Sequence, residues 1–580
     1  MTRRSCSRTR HRLAAGTPWD HGVTTEGRPH VRFRTVIGSV LASTMAAAAG
    51  LVATTAPAAA RDTATLIPGV TQLVDTAAGG GRVFVSTTDR IVVADASGTL
   101  TGTITGLASP TGLAITPDGS RVYAALSGSN EIAEIDAATL AVTRRIDLSA
   151  YPSPTNLSLD GDRLWVGYGV KGSFVGGVLS LDLSAAASAP VQVADRMYGA
   201  PLVAGAGTTV ATGESGLSPS NLRVYDVSTT PATLRGIIDG SANGLWDLND
   251  LTITPDGAQA ITVFPGSGLD VWDTTTLTKV RTYGSRSEYP GAPRSVVRSA
   301  DGAYLAAAFD GDTYGPYAAV YDSASATRTY QTTITNNATL VAGSLSVMGH
   351  DLFALQEDRQ RNRYYLWRVE GATLQASTLT LSPAGTATAL DPFPLTGRLT
   401  LPDGTAPGEQ PIEISRTLPD GTTAVVGTVS TAADGTFTAT DTPPVGGSVS
   451  YTAIWDGSPT VRWSKTTTKV DVATHATSLT LTGPTTGNAS RSLTLTGRLS
   501  TAGDVPTPAG SVAVWRVVTN RNGTTVLDLA PATLAADGSF TITDTPPVGG
   551  TYTYHARYDG NATFSLSHVA YDVVIRGGAG

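Results

Sequence analysis

Thiols are almost missing from this chain of 580 residues: Cys6 is its sole cysteine. One thiol cannot close an intrachain disulfide, and cysteine metal sites and dithiol redox motifs are excluded with it. Histidine is nearly as scarce. Of seven, only His350, His475, His555 and His568 follow residue 60, with no HExxH and no pair at ligand spacing along the chain. No GxSxG elbow occurs, and the glycine-rich stretches precede strand-like rather than helix-like runs, which excludes a Walker or dinucleotide loop. Charged residues make up only 15% of the chain, yet 41% are hydrophobic, so the composition is that of a folded chain. After residue 60 no long stretch carries apolar residues at helical spacing. With Gly at 63 and Pro at 33, spread throughout, the pattern is all-β with many turns.

Residues 1–60 differ in kind. They hold eight Arg and two acids, an apolar run from Val36 to Val52 after Arg32 and Arg34, and a close at Ala58-Ala59-Ala60. A charged start, an apolar middle and small residues at the end read as a secretory presequence. The run is short of the ~20 residues a bilayer span needs, so no transmembrane segment is expected in the mature chain. Translation beginning near Val31, or a disordered extension, accounts for the long polar start. Taking its eight Arg and two acids from 40 basic and 47 acidic residues leaves 32 and 45, net −13. That balance disfavours nucleic acid and anionic membranes as partners.

The body of the chain is organised by one line written seven times. Short apolar runs end in an acid at Asp95, Asp136, Asp182, Asp226, Asp273, Asp322 and Glu370, spaced 41, 46, 44, 47, 49 and 48 residues apart. A period in the forties with several short strands per unit predicts propeller blades. Turn signals recur at Pro117-Asp118-Gly119, Asp160-Gly161, Pro255-Asp256-Gly257 and Asp301-Gly302. Asp-Gly between apolar runs is a hairpin signal, since Gly accepts positive φ. An acid repeated in every unit, followed by Ser, Thr, Ala and Gly, is expected to fix a turn by accepting backbone N–H bonds and not to perform chemistry. The stretch Thr-Pro-Asp-Gly-Ser-Arg-Val-Tyr at 116–123, with Ile135-Asp136, resembles YVTN-type repeats of bacterial seven-bladed propellers; Thr254-Pro255-Asp256-Gly257 with Val271-Trp272-Asp273 resembles them more weakly. The resemblance covers about residues 65–375 and implies a fold without naming a function. Thr63 to Ile67 is expected to supply the outer strand of the last blade, which would leave no open edge at the ring's closure.

A second repeat follows. Ala433 to Gly447 returns at Ala536 to Gly550, Leu395-Thr396-Gly397-Arg398-Leu399 returns at 495–499, and Trp455-Asp456-Gly457 returns as Tyr558-Asp559-Gly560. Two units of about 100 residues with short strands fit β-sandwiches. They resemble bacterial Ig-like repeats, which implies spacers or adhesive stalks. With no inter-sheet disulfide, Tyr451, Tyr552 and Tyr554 are expected to fill the cores. The expected architecture is therefore all-β: a presequence (1–60), a seven-bladed β-propeller (61–375), and two Ig-like β-sandwich domains (376–474 and 475–580).

Chemistry is hard to find. A Ser-His-Asp relay would rest on His350 alone, in a hairpin turn. Asp310-Gly311-Asp312 lacks the later oxygen ligands of a calcium loop. Arg359-Gln360-Arg361-Asn362-Arg363 reads as a solvated loop, and Trp165, Trp272 and Trp367 as core. No catalytic residue, metal site or cofactor is assigned. The candidate site is geometric: the channel mouth, where loops entering each inner strand meet those after the second strand, with Asn156, Asn249, Asp250 and Arg294 as candidate ligand contacts. The expected function is a secreted, non-enzymatic binding or adhesion protein whose partner is a cell-surface or extracellular protein or glycan. Its rivals are a lactonase-like propeller hydrolase or lyase, and a cell-envelope spacer.

Overall fold

The computed structural model describes residues 62–577 apart from 186, 266–267, 286, 290, 312–316, 333–337, 504 and 521–522. The expected presequence and Asp312 lie outside the described residues.

The fold is all-β. From Leu73 to Gln331 the chain lays down six antiparallel four-stranded sheets in order, each a meander. The first consists of Leu73–Gly79, Arg82–Thr87, Ile91–Asp95 and Leu100–Ile104. A seventh sheet holds Thr339–Leu340 and Ser346–Met348 against Asp351–Asp358, then Arg363–Val369, and last Thr63–Leu66 from the start of the described chain. Thr63 lies opposite Arg368 and Leu66 opposite Tyr365, and the Ile67 N–H donates to the Tyr364 carbonyl at 2.8 Å. Segment 63–67 thus takes the outer-strand place expected of it.

The apolar side chains gather between the sheets. Phe84 and Val93 of the first sheet pack with Val122 and Ile135 of the second. Tyr123 and Ile132, one and three residues along the same strands, face Leu164 and Leu179 of the third sheet. The same alternation carries clusters onward through Trp165 and Val210, Ala211 and Trp272, Ile261 and Phe309, then Val320 and Trp367. The last cluster joins Phe353 and Leu366 of the seventh sheet to Val83 and Val85 of the first. Successive side chains point to opposite faces of a strand. Both faces of the second and third strands are therefore buried, and these strands read as unbroken apolar runs. The sheets close a propeller-like ring face to face.

Local chemistry sets the turns. Asp118 accepts from Thr116 Oγ1 at 2.5 Å and from the Ser120 N–H at 3.0 Å, while Gly119 takes φ +69°. A Cβ on Gly119 would come within 2.3 Å of Gly80 Cα, so the turns of the first two sheets meet glycine on glycine. At the other turn of each sheet the repeated acid does what its position implied. Asp136 accepts from the Ala138 and Thr139 N–H groups, Asp273 from those of Thr275 and Thr276, and Asp226 from Ser228. Glu370 departs from the pattern: its own N–H donates to Asp62 at 3.3 Å, where the first described strand arrives.

After the ring come two modules of one design. In each a three-stranded and a five-stranded sheet enclose one apolar core. Tyr451, Tyr552 and Tyr554 are fully buried there. Phe437 and Phe540 press so closely on Gly397 and Gly497 that a Cβ would lie 2.2 Å from either ring, which explains the returning Leu-Thr-Gly-Arg-Leu. One polar tie crosses between the sheets of each module. Asp441 pairs with Arg416 and accepts from Tyr451 Oη at 2.8 Å; Asp544 pairs with Arg516 and accepts from Tyr554 Oη at 2.7 Å. Ring and first module meet where Gln375–Ala376 pairs in parallel with Val461–Arg462, and the Arg462 guanidinium lies 3.8 Å over the Tyr330 ring.

Candidate functional site

The first strands of the sheets surround a channel. A cavity of about 150 Å³ lies on it, lined from six of the seven sheets by residues that include Asp75, Gly112, Asn156, Leu202, Asp250 and Gly343. Asn249 lines it as well. Three of the four residues expected at the mouth therefore share one cavity. Arg294 does not line it: its Nε donates to Asp310 at 2.6 Å. Asp310 also accepts from the Leu340 N–H at 2.7 Å, which ties the sixth sheet to the seventh.

Four polar residues of the channel are each engaged with a neighbour sheet. Asn156 Nδ2 donates to the Pro201 carbonyl at 2.9 Å and to that of Ala200 at 3.2 Å. Asn249 Nδ2 donates to Pro293 at 3.0 Å. Asp250 accepts from the Leu251 N–H on its own strand and the Val296 N–H on the next, both at 2.8 Å. Asp75 repeats this with Thr76 at 2.7 Å and Leu113 at 2.8 Å. Sequence reasoning missed Asp75 because the first sheet turns on Gly80-Gly81, and no Asp-Gly marks its register.

Burial is the largest influence on both carboxyls and pushes each up to about 7, against the opposing pull of their backbone donors. Asp250 is raised further by the charge of Asp75. Such groups change charge near neutrality, a property shared with general acids and bases. Their oxygens are nevertheless spent on backbone N–H groups. Among the described residues no three His, Cys, Asp or Glu side chains gather as a metal site. His350 stands away from the channel, its Nδ1 2.8 Å from Thr373 Oγ1. The arginine loop is paired, Arg359 with Glu357 and Arg361 with Asp358.

The same end of the ring carries what the channel lacks. Loop 169–175 joins the second and third strands of the third sheet, and loop 239–249 enters the fifth sheet; in antiparallel meanders these connections emerge at one end. There Phe174 is 63% exposed and Val175 55%, with Trp246 at 47%. Phe174 meets Tyr198 edge to face at 5.1 Å. The Tyr198 N–H donates to Glu214 at 3.1 Å, its ring lies against Gly216, and the Ser220 N–H donates to Leu245 at 2.9 Å, one residue from Trp246. Loops of the third, fourth and fifth sheets thus form a continuous arc of contacts with aromatic rings at both ends. Sequence offered only a weak signal for it: Phe174, Val175 and Trp246 sit among Gly, Ser and Asn, outside any strand pattern.

No family model and no curated protein matches the chain. Solved structures similar to it include a chain of a mitotic checkpoint complex (15% identity, 57% of this chain and 99% of that one, TM-score 0.40). Others are Kuenenia stuttgartiensis hydrazine synthase (15%, 52% and 96%, 0.39) and the Cps50 (Swd1) β-propeller domain of Myceliophteria thermophila (12%, 53% and 99%, 0.40).

Proposed function

We propose that the chain is a secreted, non-enzymatic binding protein. In this reading residues 61–375 are a seven-bladed β-propeller of the YVTN type, and its loop end holds a protein or glycan at or outside the cell surface. Two Ig-like sandwiches, 376–474 and 475–580, form the stalk. The observation that supports it is the exposed aromatic arc Phe174–Tyr198–Trp246 at the channel mouth. Exposed apolar area on loops held by a rigid scaffold is the usual mark of a contact surface. Net charge favours a partner that is not a polyanion. The test is selective retention on arrays of glycans and envelope proteins, comparing the wild type with Phe174→Ala/Trp246→Ala. Loss of retention in the double variant supports the reading; equal retention by both overturns it.

One observation favours a channel hydrolase: two carboxyls, Asp75 and Asp250, titrate near neutrality beside a cavity. That reading requires esterase or lactonase turnover abolished by Asp250→Ala. Because each carboxylate already holds two backbone donors, Asp250→Ala is expected to weaken the ring without removing any turnover.

A further inference from the structure

His555 and His568 stand 13 residues apart in the chain, on the two strands of one hairpin, Gly550–Tyr558 and Ser567–Arg576. Register pairs His555 with Ala570 and Arg557 with His568, so the two histidines are diagonal neighbours on the outer face of the last five-stranded sheet. Spacing along the chain hid them; hairpin register brings them together. His555 Nδ1 lies 3.1 Å from His568 Nε2, and the rings are within 16° of parallel. Both imidazoles stack on the Trp515 indole from the neighbouring strand, at 4.9 Å and 5° for His555 and 5.5 Å and 17° for His568.

We propose that His555 and His568 form a two-imidazole site for a divalent first-row transition ion, with Cu²⁺ held most tightly. Two nitrogens each ~2.0–2.1 Å from one ion stand about 3 Å apart, close to the spacing found. Imidazole suits Zn²⁺, Ni²⁺ and Cu²⁺, and affinity rises to copper along that series. The scaffold is rigid: two paired strands fix the backbones and one indole face fixes both ring planes. In the empty pair one ring N–H donates to the other ring's lone pair. When the ion arrives, the donor ring takes its other tautomer, both lone pairs face the metal, and no net proton is released. Solvent completes the coordination.

The other charges on this face suit a cation. Asp572, held by Thr553 Oγ1 at 2.7 Å, acts on His555, and Asp528 lies opposite Trp515. Arg557, 5.9 Å from the centre of the indole, is paired with Asp559. Burial is the largest influence on His555 and holds it below its ordinary value.

The full chain, purified without a polyhistidine tag, is titrated with Cu²⁺, and binding is followed by electron paramagnetic resonance and tryptophan fluorescence. One ion per chain with a two-nitrogen signature is expected. His555→Ala and His568→Ala should each weaken binding by about tenfold or more, and His350→Ala should leave it unchanged. Trp515→Phe should keep the two-nitrogen spectrum while losing much of the fluorescence quenching, a control in which both ligands remain. Wild-type affinity equal to that of both histidine variants, or copper that follows His350, overturns the site and leaves a hydrogen-bonded imidazole pair.

Discussion

Asp75 and Asp250 are acids whose raised values translate into a stability profile. A carboxyl raised to about 7 stabilises the fold fully below its unfolded value near 4 and loses that contribution as pH rises through 7. The turn acids, Asp118 and Asp136 among them, are held below the ordinary range by side-chain and backbone donors, so their contribution is lost only under acid conditions. The window from pH 5 to 8 therefore belongs largely to the channel pair. The stability of the ring should fall across it by on the order of 2 kcal/mol per carboxyl, after allowance for the partial exposure each keeps on the channel, and its melting temperature should fall with it. Asp75→Asn/Asp250→Asn should flatten the profile. It should also cost about 1–3 kcal/mol at pH 5, because a carboxamide offers one acceptor oxygen to two backbone donors. A double variant that melts with the wild-type slope from pH 5 to 8 would refute this assignment. The turn acids were legible because their partners lie within four residues. The channel acids were legible only in part, because their second donors sit on a neighbouring sheet about 40 residues away.

Strands and sheets were the most legible level, since a run such as Arg121-Val122-Tyr123-Ala124-Ala125 carries its burial on both faces. What composition hid was how sheets without disulfides are tied across the two C-terminal modules. Arg516 is buried and the Asp544 side chain is only 10% exposed, and Tyr554 completes the tie from the five-stranded sheet. Asp544→Ala strands a buried guanidinium and should lower the last module's stability by about 3–5 kcal/mol. The ring's transition should not move, and differential scanning calorimetry on the full chain reads both. Tyr554→Phe removes one hydrogen bond and should cost about 1 kcal/mol. The strand Thr63–Leu66 has its own test. Starting the chain at residue 72 uncovers the edge of Arg363–Val369 and removes Ile67, 2% exposed, from the cluster between the seventh and first sheets. Exposed edges invite pairing with other chains. The shortened protein should melt earlier and self-associate, as light scattering would show; unchanged melting would mean the strand closes nothing.

For the whole molecule, the two ends of the ring differ in chemistry. The turn end is built from Asp-Gly hairpins and Ser/Thr-rich turns whose side chains are consumed by their own backbone. The loop end presents Phe174, Val175 and Trp246 to solvent around a channel whose polar groups are already paired. Topology placed the candidate contacts at this end, where Asn156, Asn249 and Asp250 bond neighbouring sheets and the exposed Phe174, Val175 and Trp246 stand on adjoining loops. The most direct measurement places a photoreactive phenylalanine analogue at Phe174 in one variant and at Asp118, on the turn end, in another, and irradiates each with the envelope of the producing cell. The account predicts one discrete cross-linked product from position 174 and none from position 118. Products from position 118 alone, or from neither, would contradict it.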